Sequence, residues 1–343
     1  MARQTALATC DDNEELKNLE KGLIKQYGEG VIVPGTFILE NRKKVLSISP
    51  MVDMALGGIP EGVLVTLSGP PGCGKTTLAL QIAAAAQADG RLVFYEDAEG
   101  RLKPMNLEGI FGLDSKKVRV IRSTEERQLN GEDYLNIGTN VLKAHPGCVL
   151  IIDSASALCA ANEMASEVTG SSRSANPKTL GNFCRKNAGV ISTMNNIVII
   201  IKHIIANTSG YGSPWMEDGG VKVKYQADIQ LRTTKTPESW EESKSIVGQI
   251  VEWDVLKYAL PLHNNIRKFK TYIRYGIGVD HIQETMELAQ DYGVVDLAGS
   301  WLSFEKDGEK HKYQGSAKLR AFLQDSPETL KFLRDKINEI HGI

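Results

Sequence analysis

The residues best equipped for chemistry lie in one short run: Gly69, Pro70, Pro71, Gly72, Cys73, Gly74, Lys75, Thr76 and Thr77. The glycines let the backbone curl until successive N–H groups converge on phosphate oxygens. At this spacing Lys75 is placed to reach the β- and γ-phosphates, and the Thr76 hydroxyl to meet a magnesium ion. The run follows the apolar stretch "GVLVTLS" and leads into "KTTLALQIAAAAQADG", so a strand precedes it and a helix follows. The helix would present the positive end of its dipole to the anion. This context reads as a P-loop for a nucleoside triphosphate, with ATP and Mg2+ as the expected cofactors. A second apolar strand, "CVLIIDS", ends in Asp153, which fits a carboxylate holding magnesium through water. A third, "RLVFYEDAE", carries Glu96, Asp97 and Glu99 at its end, where one carboxylate can orient and polarise an attacking water. Glu99 is the favoured one.

These residues need elements that bring them together. From about residue 46, apolar runs at 62–69, 91–99, 117–123, 148–156, 196–203 and 227–234 alternate with helical intervals. Near-continuous apolar strands separated by helices predict an α/β fold with a mostly parallel central sheet covered on both faces. Residues 12–27 predict an amphipathic helix with Leu16, Leu19, Leu23 and Ile24 on one stripe, followed by a short extended piece. After about residue 279 the pattern turns helical around a hairpin, "WLSFEKDGEKHKYQG". The expected domains are therefore 1–34 (N-terminal helix and strand), 35–279 (ATPase core) and 280–343 (small α-rich C-terminal domain).

Composition narrows the function classes. A net charge of −2 places any nucleic-acid contact on local basic patches. The five cysteines are odd in number and lack CxxC spacing, which argues against a disulfide framework or zinc site and for a reducing, cytoplasmic setting. The N-terminus has no secretory apolar region, and "IVIIIKHII" is too short to span a bilayer, so no membrane partner is expected.

Together "LIKQYGEGVIV", "SISPMVDMALGGIPEGVLVTLSGPPGCGKTTLALQIAAAAQADG", "FYEDAEGRL", "VLIIDSASAL" and "DLAGSWLSFEKDGEKHKYQGSAKLRAFLQDSPETLKFL" resemble the RecA family of homologous-recombination ATPases over nearly the whole chain. The resemblance implies a RecA-like P-loop core with an N-terminal docking helix that serves oligomerisation. It makes Glu99 the water-activating carboxylate. His203 falls where bacterial members carry a γ-phosphate-sensing glutamine, which implies a switch with a different pH behaviour. Lys257 matches one of two lysines that reach a neighbour's γ-phosphate, while Val255 stands at the other. The adenine-contacting aromatic is replaced by the stretch holding Lys103, Pro104 and Asn106. Such departures imply a divergent member, of the kind a bacteriophage would encode.

The same resemblance makes 160–176 and 204–220 two DNA-binding loops. Tyr211 and Trp215 would stack on bases. The second loop has no Lys or Arg but carries Glu217 and Asp218, so positive charge must come from Arg173, Lys178, Arg185 and Lys186. The implied function is an ATP-dependent recombinase. It would form a head-to-tail helical filament on single-stranded DNA and pair it with a homologous duplex, exchanging strands as DNA-stimulated ATP hydrolysis proceeds. Two alternatives share these motifs: a ring-forming DNA translocase or helicase, and a non-catalytic ATP-gated filament.

Overall fold

The structure is a computed structural model that describes residues 14–167, 176–207, 215–217, 221–242, 244–258 and 266–341. It has two compact units, one ending at Lys43 and one beginning at Lys44. In the first, α1 spans Glu14–Tyr27 and α2 spans Gly35–Glu40. The expected extended piece after α1 forms no strand among the described residues; a short second helix follows instead. No described residue of this unit is buried, so the Leu16 and Leu19 stripe faces solvent.

The second unit begins with β1 (Val45–Leu46), α3 (Pro50–Leu56) and β2 (Ile59–Pro60), where Ser49 caps α3 and Gly57 ends it in the left-handed region. The core continues with β3 (Val63–Gly69), α4 (Lys75–Ala88), β4 (Val93–Asp97), α5 (Pro104–Glu108), β5 (Val118–Ile121), α6 (Gly131–Ala144) and β6 (Val149–Asp153). Next come α7 (Ala161–Met164), α8 (Asn176–Thr193), β7 (Ile197–Ala206), β8 (Trp215–Glu217), α9 (Val221–Gln226) and β9 (Ile229–Arg232). An antiparallel flank adds β10 (Glu238–Glu242), β11 (Ser245–Tyr258), β12 (Lys268–Arg274) and β13 (Gly278–Val279). The C-terminal part holds α10 (His281–Asp291), β14 (Asp296–Ala298), β15 (Trp301–Lys306), β16 (Glu309–Gln314), α11 (Ser316–Asp325) and α12 (Pro327–His341).

The main sheet runs β13-β12-β11-β9-β3-β7-β6-β4-β5, with β10 beside β11 and β8 beside β7. From β9 through β3, β7, β6 and β4 to β5 every pairing is parallel, as expected. The central strands β3, β7 and β6 are buried on both faces because helices cover both, which explains their apolar runs, whereas edge strand β5 leaves Arg119 and Val120 exposed. Two findings go beyond the sequence reading. The antiparallel flank was not anticipated, and β7 continues three residues past His203 to pair with β8. The C-terminal hairpin turns on Asp307 and Gly308, both at positive φ, the turn geometry that matches strand twist. Its helices share a core of Met286, Leu302, Phe304, Leu319, Leu323 and Leu333 that also takes in Met54 of α3.

One buried group stands out beside the sheet. Glu96 on β4 is fully buried, and no side chain partners its carboxyl oxygens. It fits only because residue 138 of α6 is glycine: a Cβ there would lie 2.7 Å from Glu96 Oε1. Burial pushes this carboxyl well above its usual range, and the Gly138 backbone offsets little of that. An acid with a raised folded pKa ionises first in the unfolded chain, so its presence lowers stability progressively as pH rises above about 4.5. Glu96→Met is therefore expected to stabilise the protein by an amount that grows about 1.4 kcal/mol per pH unit above that point. Urea unfolding at pH 4.5, 6 and 7.5 measures it; a pH-independent difference would rule the carboxyl out as its source.

Candidate nucleotide and nucleic-acid sites

The P-loop lies at the carboxyl edge of the parallel strands, where open α/β sheets bind ligands. Each of its central glycines has a physical reason. Gly72 and Gly74 adopt φ of 72° and 78°, where a side chain is strained. A Cβ on Gly69 would sit 2.6 Å from Thr233 Cγ2, and one on Gly74 would collide with Ile273 Cδ1. Gln249 of β11 donates to the Gly72 carbonyl at 3.2 Å, so the antiparallel flank braces the loop from outside. Lys75 is buried, and its Nζ donates to the Gly69 and Pro70 carbonyls at 3.0 and 2.7 Å.

Register brings the other groups level with the loop. Gly69 lies opposite His203 across β3 and β7, and Asp97 opposite Asp153 across β4 and β6. The resulting cleft of about 300 Å³ is lined by Pro71–Thr77, Tyr95, Asp97, Glu99, Asn106, Asp153, His203 and Gln249, among others. Thr76 Oγ1 donates to Asp153 Oδ2 at 2.7 Å, and the Tyr95 hydroxyl donates to the same oxygen at 2.5 Å. Burial raises the Asp153 carboxyl above its usual range despite these two bonds. Burial also raises the Tyr95 phenol, with the Asp153 charge adding to it, so the hydroxyl keeps its proton and acts as a donor.

The three carboxylates of "YEDAE" occupy three different environments. Glu96 is enclosed under α6. Asp97 accepts from the backbone N–H groups of Arg101 and Leu102 at 3.0 and 3.3 Å, which holds the turn that follows β4. Glu99 faces the cleft: its Oε1 accepts from the Ser154 hydroxyl and pairs with His203 Nε2 at 2.8 Å, while Oε2 lies 3.6 Å from Arg101. Burial pushes the Glu99 carboxyl up, but the Ser154 and His203 bonds and the Arg101 charge outweigh it and hold the group below the usual carboxylate range. Of the three carboxylates, Glu99 is the one that faces the cleft with its ionised form favoured.

The residues present suit both expected ligands. Lys75 lines the cleft beside the glycine loop, as a phosphate chain requires, and Thr76 and Asp153 are hard oxygen donors. Among the described residues no cluster of three or more metal-ligating side chains exists. Magnesium keeps several waters and takes few protein ligands beside substrate phosphates, so the Thr76 and Asp153 pair suits it.

Of the expected DNA-contacting residues, Arg173 and Tyr211 lie outside the described residues, as do parts of both loops. Lys178, Arg185 and Lys186 are exposed on α8. Helix α9 packs across Gly181, where a Cβ would meet the Lys222 side chain at 2.9 Å, so exposed Lys222 sits beside this face. The sequence reading missed Lys222 because it stopped at the end of the second loop. Trp215 lies on β8 opposite Ala206. Lys257 of β11 donates to the Tyr225 carbonyl at 3.0 Å and to the Ala227 carbonyl, at the C-terminal end of α9.

Glu217 has a different role from the one expected. It is not a loose acid on the loop. Its Oε2 pairs at 2.6 Å with Lys202, which is 1% exposed, and Oε1 accepts from Ser68 Oγ at 3.2 Å. The pair joins the β7–β8 hairpin to the residue before the P-loop. Lys202→Met is expected to cost about 3–5 kcal/mol by leaving Glu217 buried without its partner. Lys202→Met with Glu217→Met is expected to recover most of it, and denaturant midpoints of the wild type, single and double variants check both. Tyr95→Phe tests the Asp153 cluster differently. It is expected to preserve stability to within about 1.5 kcal/mol while altering the Mg2+ concentration needed for tight binding of a fluorescent ATP analogue.

Comparisons with known proteins agree with this geometry. The family model described as RecA N-terminal domain matches residues 14–280. "Protein RecA" of Thermus aquaticus is 29% identical over 333 residues, covering 95% of this chain and 94% of that protein. "Protein RecA" of Geobacter metallireducens is 29% identical over 95% of this chain and 92% of its own length. "Protein RecA" of Phytoplasma mali is 28% identical over 96% and 94%. With the ordered motifs, the sheet and the family match in agreement, this chain belongs to the RecA family.

Proposed function

We propose that this protein is a DNA-dependent ATPase that forms a filament on single-stranded DNA and exchanges strands with a homologous duplex. The observation that carries the reading is the Glu99–His203 contact. It joins the carboxylate facing the nucleotide cleft to the strand that runs on, through β8, into the second candidate DNA loop. A change at one end is therefore transmitted to the other through a single hydrogen-bonded pair.

The chain's own residues account for the steps. Lys75 exchanges its bonds to the Gly69 and Pro70 carbonyls for phosphate oxygens, leaving the loop N–H groups to bind the rest of the phosphate chain. Thr76 and Asp153 would hold magnesium, which when bound supplies charge to offset that developing on the transferred phosphoryl group. Glu99, ionised at neutral pH, accepts a proton from the attacking water. His203 and Ser154 fix its orientation in the meantime. Loss of the γ-phosphate changes what His203 can donate to, which shifts the hairpin and lowers DNA affinity as linkage requires. Self-association is supported by the exposure of Leu16 and Leu19 on α1, apolar side chains that a neighbouring copy would cover. Lys257 would reach a neighbour's phosphate by leaving the carbonyls at the end of α9.

DNA contact would draw on Lys178, Arg185, Lys186 and Lys222. Neutralising Arg185 and Lys186 together is expected to flatten the salt dependence of single-strand affinity by about one to two units of slope, with little sequence preference. The deciding experiment is joint-molecule formation between single-stranded DNA and a homologous or non-homologous duplex, with and without ATP. ATP-dependent joints confined to homologous DNA are expected. Glu99→Gln should lower hydrolysis about a hundredfold or more while DNA binding with ATP persists. DNA-stimulated hydrolysis without joints would replace this reading with a translocase; no hydrolysis and no joints would overturn it.

A further inference from the structure

A second cavity, away from the P-loop, lies between β13 with its preceding turn and the C-terminal helices α10, α11 and α12. Its volume is about 420 Å³, within the range of small-molecule sites. Much of its wall is apolar, from Val279, Leu323, Leu330 and Phe111. Val279 and Leu323 are fully buried beneath it.

The polar groups in that wall are distinctive. Arg320 Nη2 pairs with Asp280 at 2.6 Å, but Nη1 is buried and has no hydrogen-bond partner. The His281 ring stands edge-on to Phe111, and its Nε2 is also buried without a partner. Burial, assisted by the Arg334 charge, lowers the His281 pKa to about 4, so the ring is neutral and offers one N–H. Asp280 does not cancel Arg320, because it is shared with Arg274 at 2.8 Å. Lys331 adds a further cation at the exposed rim, and Arg334 another within the wall. The lining residues therefore carry excess positive charge and an apolar body, and one buried N–H of Arg320 and one buried ring nitrogen of His281 stand unpaired beside them. Buried donors of this kind are seldom left without an acceptor.

We propose that this cavity binds a small organic carboxylate with an apolar body, its two oxygens accepting from Arg320 Nη1 and His281 Nε2. One carboxylate oxygen can accept from Arg320 Nη1 and the other from His281 when the ring carries its proton on Nε2. The further oxygens of a phosphate would face the apolar wall, where desolvation opposes them. An excess of cations excludes a metal ion, and the enclosed, largely apolar wall excludes a duplex. Occupancy braces β13 of the core against α11 and α12. Phe111 relays the contact, since its carbonyl accepts from Gln81 of α4 at 3.4 Å and its N–H donates to Ile277 at 2.7 Å.

The test uses the full chain saturated with ADP, so that the P-loop is occupied. 4-Phenylbutanoate and hexanoate are titrated by calorimetry and thermal shift, against their neutral amides and inorganic phosphate. Saturable binding of the carboxylates, with a rise in melting temperature and at least about tenfold weaker binding of the amides, is expected. Arg320→Met should weaken carboxylate binding by about tenfold. Gln324→Trp, at the exposed mouth, should block entry with the fold intact, which guards against misreading an unstable Arg320 variant. Equal binding of acid and amide, binding that survives both variants, tighter binding of phosphate, or no binding of either carboxylate would overturn the proposal.

Discussion

Every contact in the nucleotide cleft depends on the parallel register of four strands. β3 and β7 set Gly69 beside His203, β4 and β6 set Asp97 beside Asp153, and β6 pairs with β7 up to Ile152 and Ile200, so the four residues emerge near one edge of the sheet. A slip of one residue would turn each of these side chains to the opposite face of the sheet. What prevents the slip is burial on both sides. Ile151, Ile199 and Val65 enter one core, and Leu150, Ile200 and Leu64 the other, so neither parity has an exposed face to move to. The geometry of the site is thus a by-product of the packing that makes the sheet stable.

Identical side chains in this cleft become different chemical groups through their surroundings. Glu96, Asp97 and Glu99 sit within one turn of chain. One is enclosed against α6, where burial pushes its carboxyl well above the usual range, one is consumed in holding backbone N–H groups, and one faces the cleft with its ionised form favoured. The assignments follow from strand alternation and from where the strand ends. Even numbering does not predict them: Glu96 and Asp97 are adjacent, yet only the turn beyond them frees Glu99 to face the cleft.

Much of this was legible in the order of residues. The P-loop, Asp153 and Glu99 lie in local patterns, because glycine spacing and a strand-terminal acid carry their own structural context. The parallel block was legible for the same reason, as its central strands β3, β6 and β7 are largely apolar. Contacts made across long sequence separations were not. Tyr95 reads as an ordinary strand residue until β6 sets Asp153 beside it, and Gln249 acts on Gly72 from 177 residues away. Glu217 looked like a loop acid because its partner, Lys202, looked like an interruption in an apolar strand; each explains the other only once β7 and β8 pair. The antiparallel flank escaped notice because Glu252 and Asp254 alternate with Val251 and Trp253, which obscures its apolar face.

The bracing of the P-loop by that flank has a thermodynamic consequence. Gln249 of β11 and Ile273 of β12 bind or press on the loop from strands that contribute little else to the cleft. The conformational entropy of ordering a glycine-rich segment is large, and it must be lost either when the chain folds or when the ligand arrives. Here folding absorbs it, so a phosphate chain would meet a receptor already in shape and more of the interaction energy would appear as affinity. The antiparallel strands thereby set the free-energy baseline for nucleotide binding although they come late in the chain and lie outside every phosphate-binding motif.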